Sequence, residues 1–179
     1  MSRLIAVILY FGLCGAVQAG VVDANTLIKS YQKILSQQPE NQYPFLLHAR
    51  DDGDKNQAEI FFLLDISLDD LVNRLNTPKG WCGFIGININ IKTCIYEKQH
   101  IVLYAGRKFY QPPQDAHRLR YQFSSRRDGQ YFEARMFSKE GPLGTSNYRF
   151  HLAASRLQGR TLLYFFLSYE DGFLSRSAI

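Results

Sequence analysis

The sequence predicts an α+β domain carried by an antiparallel sheet, and three observations predict it. Helical periodicity is confined to the first half of the chain, where Leu27, Ile28, Tyr31, Ile34 and Leu35, and later Leu68, Leu71, Val72 and Leu75, recur at helical spacing. From Asn88 onward the pattern changes to strands separated by short polar turns, which makes successive strands antiparallel neighbours. Between the two lies Thr77 to Cys94, TPKGWCGFIGININIKTC, which holds the chain's one tryptophan and two of its three cysteines. At 179 residues, 46% hydrophobic and 14% aromatic, the chain has a one-domain length and ample material for a core.

The first 19 residues read as a leader. Arg3 is a minimal charged region, Leu4 to Leu13 is apolar, and Val17-Gln18-Ala19 offers small residues at a peptidase site. The expected cleavage precedes Gly20 and leaves a single domain over 20–179, with 20–57 as a helix-and-hairpin extension. A lipoprotein signal at Cys14 is the alternative, disfavoured by bulky Leu13 before it. The apolar run is short of the roughly 20 residues a spanning helix needs. Export places the protein in the periplasm or outside the cell, an oxidising setting in which Cys82 and Cys94 are expected to pair. Two buried free thiols are the other reading. No histidine or further cysteine stands at ligand spacing beside them, so no metal is expected.

Taken in order, Asp23 to Leu35 predicts an amphipathic helix with Asn25 as its cap. Phe45 to Ala49 and Ala58 to Ile66 predict a hairpin whose long polar tip runs from Arg50 to Gln57. Asp51, Asp52 and Asp54 there lack the glycine and closing glutamate of a calcium loop. Ser67-Leu68-Asp69-Asp70 starts a helix and Thr77-Pro78-Lys79-Gly80 stops it, with a further helical turn around Cys82 to Ile85. Ile87, Ile89 and Ile91 alternate with Asn88, Asn90 and Lys92 as a half-buried strand would, so the next strand is expected over Asn88 to Tyr96. Strands follow over His100 to Gly106, Leu119 to Ser124, Tyr131 to Ser138, Thr145 to Ser155 and Thr161 to Tyr169. Every residue from Leu162 to Leu167 is apolar, which predicts a strand covered on both faces.

Formal charge is +5, or +4 without Arg3. The positive charge concentrates between Lys98 and Lys139, a stretch that fits an anionic membrane surface or, more blandly, a solvated sheet face. Nucleic acid is not expected of an exported chain without a recognition motif.

The order of helix, strand pair, helix with a Trp-Cys turn and six strands is similar to the START-like (SRPBCC, helix-grip) superfamily. More narrowly, Trp81-Cys82 with Asn90-x-Lys92-x-x-Cys94, and Glu140-Gly141-Pro142-Leu143-Gly144-Thr145 followed by Tyr148-Arg149, resemble an uncharacterised exported bacterial group within it. The resemblance covers about Ala58 to Ala178. It implies a curved antiparallel sheet gripping a long C-terminal helix, with an apolar or amphipathic ligand held between them. Most of that helix is expected to be missing here, because few residues follow Tyr169.

No nucleophile elbow is present, the four histidines are dispersed, and Gly141 to Thr145 lacks the lysine of a phosphate loop, so no catalytic residue and no cofactor are expected. Arg135 and Arg149 alternate with apolar neighbours and are expected to face outward. The expected function is an exported binding module for a lipid-like ligand, with Trp81, Asn88, Asn90, Tyr148, Tyr164 and Phe166 as its candidate contacts. An envelope docking protein using an exposed sheet face, and a cyclase- or hydrolase-like enzyme in the same cavity, are the alternatives.

Overall fold

The structure, a computed structural model, describes residues 23–37, 45–108 and 110–172. The leader with Cys14, and the C-terminal stretch from Phe173, lie outside the described residues. Helix α1 spans Ala24–Gln37. Asp23, rather than Asn25, caps it: its Oδ1 accepts the Thr26 amide at 2.8 Å. The hairpin is β1 (Phe45–Asp51) and β2 (Lys55–Leu64), so its arms run further into the polar stretch than expected. Its tip shrinks to Asp52–Asp54, with Gly53 at φ 79° making the turn.

Helix α2 (Leu68–Leu75) begins at Ser67, whose Oγ accepts the Asp70 amide at 3.0 Å and donates to Asp70 Oδ2 at 2.7 Å. The sequence Thr77-Pro78-Lys79-Gly80 does more than stop it. Thr77 caps a second helix, α3 (Pro78–Ile85), and proline takes the first helical position, where no amide partner is needed. A methyl group on Gly80 would collide with the Arg74 carbonyl oxygen, so glycine is what lets α3 turn back tightly on α2. Trp81 completes the corner: its indole N–H donates to the Leu75 carbonyl at 2.7 Å, satisfying an acceptor that the end of α2 leaves open.

The remaining strands are β3 (Ile91–Glu97), β4 (His100–Ala105), β5 (His117–Asp128), β6 (Tyr131–Glu140), β7 (Ser146–Leu157) and β8 (Arg160–Glu170). The strand expected from Asn88 starts three residues later. Asn88 forms a turn, its Oδ1 accepting the Asn90 amide at 2.9 Å and its carbonyl the Ile91 amide at 2.9 Å. An asparagine side chain competes well for nearby amides, and here it wins over the ladder. Ile87 and Ile89 consequently stand 79% and 70% exposed. Cys82 and Cys94 form a disulfide with their Cα atoms 5.4 Å apart, tying α3 to β3.

All eight strands form one curved antiparallel sheet in the order β1-β2-β8-β7-β6-β5-β4-β3. The curved antiparallel sheet with short helices is the α+β part of what the START-like resemblance implies, and the C-terminal helix it also implies falls outside the described residues. The sheet carries a core on each face. On the inner face, α2 and α3 bring Leu71, Leu75 and Trp81 onto Leu103, Tyr121, Phe132 and Met136. On the outer face, α1 buries Leu27 among Leu46, Phe61, Ala153, Leu162 and Tyr164. The apolar run of β8 serves both: Leu163 and Phe165 face inward, Leu162 and Tyr164 outward. Arg135 and Arg149 are on the outer face, exposed to solvent, as their alternation requires. Among the described residues, no helix is long and apolar enough to cross a membrane.

Candidate functional site: a cleft on the inner face

Helices α2 and α3 cover the inner face over β3 to β6, and the half formed by β1, β2 and β8 is left only partly buried. Across these strands the register sets Ala49 beside Ala58, and Ala58 beside Leu167. Two small side chains on adjacent strands leave space where larger ones would fill it. The result is a cleft of about 380 Å³ lined by Ala49, Ala58, Leu167 and Tyr169 together with the polar Arg50, Asp51, Asn56 and Gln57. Its floor is apolar and its far end polar, where Asn56 Nδ2 donates to Asp171 Oδ2 at 2.9 Å. Away from that end the inner face continues through Ile60 and Phe165, then Phe62 and Leu163, both paired across β2 and β8.

Behind Tyr169, the Glu140 to Thr145 segment holds the Tyr148 ring. Gly141 donates its amide to the Thr145 carbonyl at 2.8 Å, and Thr145 Oγ1 donates to the Pro142 carbonyl at 2.6 Å. With its own proton so engaged, Thr145 Oγ1 accepts from the Tyr148 hydroxyl at 3.0 Å. The Tyr148 ring lies where a side chain on Gly141 would be, and stacks on Tyr169 at 5.1 Å with 11° between planes. Burial raises the phenol of Tyr148 above its usual value, so at neutral pH it is an uncharged donor. The glycine-rich turn is thus a mount for the Tyr148 ring.

The candidate contacts are distributed as follows. Tyr148 is outside the cleft lining and reaches it only through Tyr169, on which it stacks. Trp81 is 1% exposed within the α2/α3 corner. Asn88 and Asn90 are in the α3–β3 turn, across the sheet from the cleft. Tyr164 and Phe166 are on the outer face with α1, Tyr164 donating to Glu59 Oε2 at 3.2 Å. Tyr169, Leu167, Asn56 and Ala58 line the cleft and were not singled out in the sequence. Alternation from Phe165 would have found Leu167 and Tyr169 had the inward parity of β8 been known, and a strand apolar on both faces hides it.

A second polar cluster occupies the outer face. Glu133, 8% exposed, accepts from the Tyr131 hydroxyl at 3.1 Å and from Arg135 at 3.0 Å, with Arg126 at 3.3 Å. His151, 3% exposed, has Nε2 3.4 Å from Glu133 Oε2, and its Nδ1 has no hydrogen-bond partner among the described residues. Burial pushes Glu133 up, but the cations and Tyr131 outweigh it and leave the carboxyl below its usual value. Burial and Arg135 hold His151 below the ordinary imidazole value, against the pull of Glu133. Among the described residues, no group of histidine, cysteine or carboxylate side chains is placed to hold a metal ion.

No protein-family model matches the chain, and no curated protein matches it. Among solved structures it is similar to human STARD10, with a TM-score of 0.48 and 9% identity over 92% of this chain and 76% of that one. It is also similar to a putative uncharacterized protein from Rhizobium leguminosarum, with a TM-score of 0.44 and 12% identity over 74% of this chain and 87% of that one.

Proposed function

We propose that the protein is an exported, non-catalytic module that binds an apolar or amphipathic, lipid-like ligand on the inner face of its sheet. The observation that carries this reading is the cleft of about 380 Å³, apolar along its floor and polar at one end. That size falls within the roughly 300–1,000 Å³ of small-molecule sites. An acyl chain or similar body would lie along Ala58, Leu167 and Ile60, with its polar group toward Asn56. Tyr169, backed by Tyr148, would hold it in place. The leader-like N-terminus and the Cys82–Cys94 disulfide support export.

Native mass spectrometry of protein recovered from its own envelope, before and after organic extraction, tests the reading. A discrete extra mass removed by extraction, and missing from an Ala58→Trp variant that fills the cleft, is the expected result. Wild-type protein that carries no such mass and fails to bind a fluorescent fatty-acid probe would overturn it.

A second reading, a docking protein that uses the sheet itself, is favoured by Leu47, which stands 53% exposed on the edge strand β1. It requires a concentration-dependent complex that forms without ligand.

A further inference from the structure

Among the described residues, the three most exposed large apolar side chains, Tyr110, Ile87 and Ile89, belong to neighbouring segments at one rim of the sheet, away from the cleft. Ile87 and Ile89 project from the α3–β3 turn at 79% and 70% exposure, Phe84 precedes them at 52%, and Tyr110 stands 90% exposed on the neighbouring β4–β5 loop. The two segments are joined: Gly106 donates its amide to the Asn90 carbonyl at 2.8 Å, and Ile91 pairs with Ala105.

These prongs are held rigidly. The Ile87 and Asn88 amides donate back to the Phe84 and Ile85 carbonyls, Asn88 closes the turn onto Asn90 and Ile91, and Lys92 Nζ donates to the Ile89 carbonyl at 2.7 Å. The Cys82–Cys94 disulfide clamps the segment from both sides. Isoleucines fixed into water at the tip of a braced turn are not core residues left over by poor packing. The charge of these segments is mainly positive: Lys92, Arg107, Lys108 and Arg118 against Asp115.

We propose that this rim docks the protein onto an anionic lipid bilayer, with Ile87, Ile89 and Tyr110 entering the interface and Arg107 and Lys108 meeting the head groups. Apolar prongs flanked by cations match a surface that is greasy beneath and negative above. A second copy of this chain fits poorly. In a two-fold pair, Arg107 and Lys108 would approach their own counterparts.

The proposal is independent of the cleft, because vesicle binding requires no ligand there and the rim variants leave Ala58, Leu167 and Tyr169 untouched. Flotation with phosphatidylcholine vesicles, with and without phosphatidylglycerol, is the test. The protein is expected to float with the anionic vesicles and to be released by salt. Ile87→Asn with Ile89→Asn should reduce binding about tenfold or more, since apolar area drives insertion. Arg107→Gln with Lys108→Gln should do the same and blunt the salt dependence. The second pair tests the idea even if the first disturbs the turn. Absence from anionic vesicles, equal binding to neutral ones, or self-association that the isoleucine variant abolishes while vesicles stay bare would each overturn it.

Discussion

His151 is a histidine that the fold keeps uncharged. It sits between Arg135 across the β6–β7 ladder and the edge of Tyr164, its ring 5.9 Å from the tyrosine ring, with Glu133 its nearest anion. Its folded value is depressed, whereas an unfolded histidine titrates near 6.5. Between those values the unfolded chain binds more protons than the native one, so stability is lost as pH falls below about 6.5 and is unaffected by this residue above it. Glu133 is also depressed, which as a carboxylate makes its contribution present above about 4.5 and lost only in more acidic solution. The melting temperature of His151→Gln, followed from about pH 7 to about pH 5, should therefore fall less than that of the wild type. Parallel curves would show that His151 is not the group responsible. Nothing in the sequence distinguishes His151 from the other histidines, because its burial depends on α1 and on strands distant in the chain.

At the scale of elements, the α2–α3 corner and the α3–β3 junction carry the architecture. An eight-residue helix has little stability by itself. Helix α3 is fixed by what it touches: Trp81 on the Leu75 carbonyl, Gly80 against Arg74, and Cys82 bonded to Cys94. Replacing both cysteines by serine should lower unfolding free energy by about 3 kcal/mol, the value expected for a loop of this length. Urea unfolding of the variant against the oxidised protein measures it, and an unchanged midpoint would mean that packing alone holds the junction. The pairing was legible from the spacing of the two cysteines and from the leader that the sequence predicts. The turn beside it was not: Ile87, Asn88, Ile89 and Asn90 have the alternation of a strand, but the Asn88 side chain takes the amide that a ladder would need. Period-two patterning reports a strand only where a partner strand is present to pair with it.

For the whole molecule, one sheet with a core on each face makes the two halves interdependent. Strands β6, β7 and β8 contribute to both cores, through Phe132 and Tyr131, Leu152 and Ala153, and Leu163 and Leu162. Unfolding followed by emission of Trp81, which reports the inner core, and by far-ultraviolet circular dichroism should therefore give coincident transitions. A Trp81 transition that precedes the loss of sheet would separate the cores. The sequence by itself determined the element order, most of the strand limits, the cysteine pair and the apolar run of β8, because these follow from local periodicity and turn chemistry. The double cover expected of β8 reaches full burial only on the face beneath α1, the inward Leu163, Phe165 and Leu167 being half-buried. Only the tertiary structure decided which parity of β8 faces inward, and so why Tyr169 lines the cleft with Tyr148 stacked behind it, while Tyr164 and Phe166 are on the face beneath α1. It also decided that β8 lies beside this hairpin and sets Leu167 next to Ala58 at that cleft. The physical reason is that side-chain direction in a two-sided strand, and space between strands, are set by neighbours distant in the chain, on which local pattern is silent.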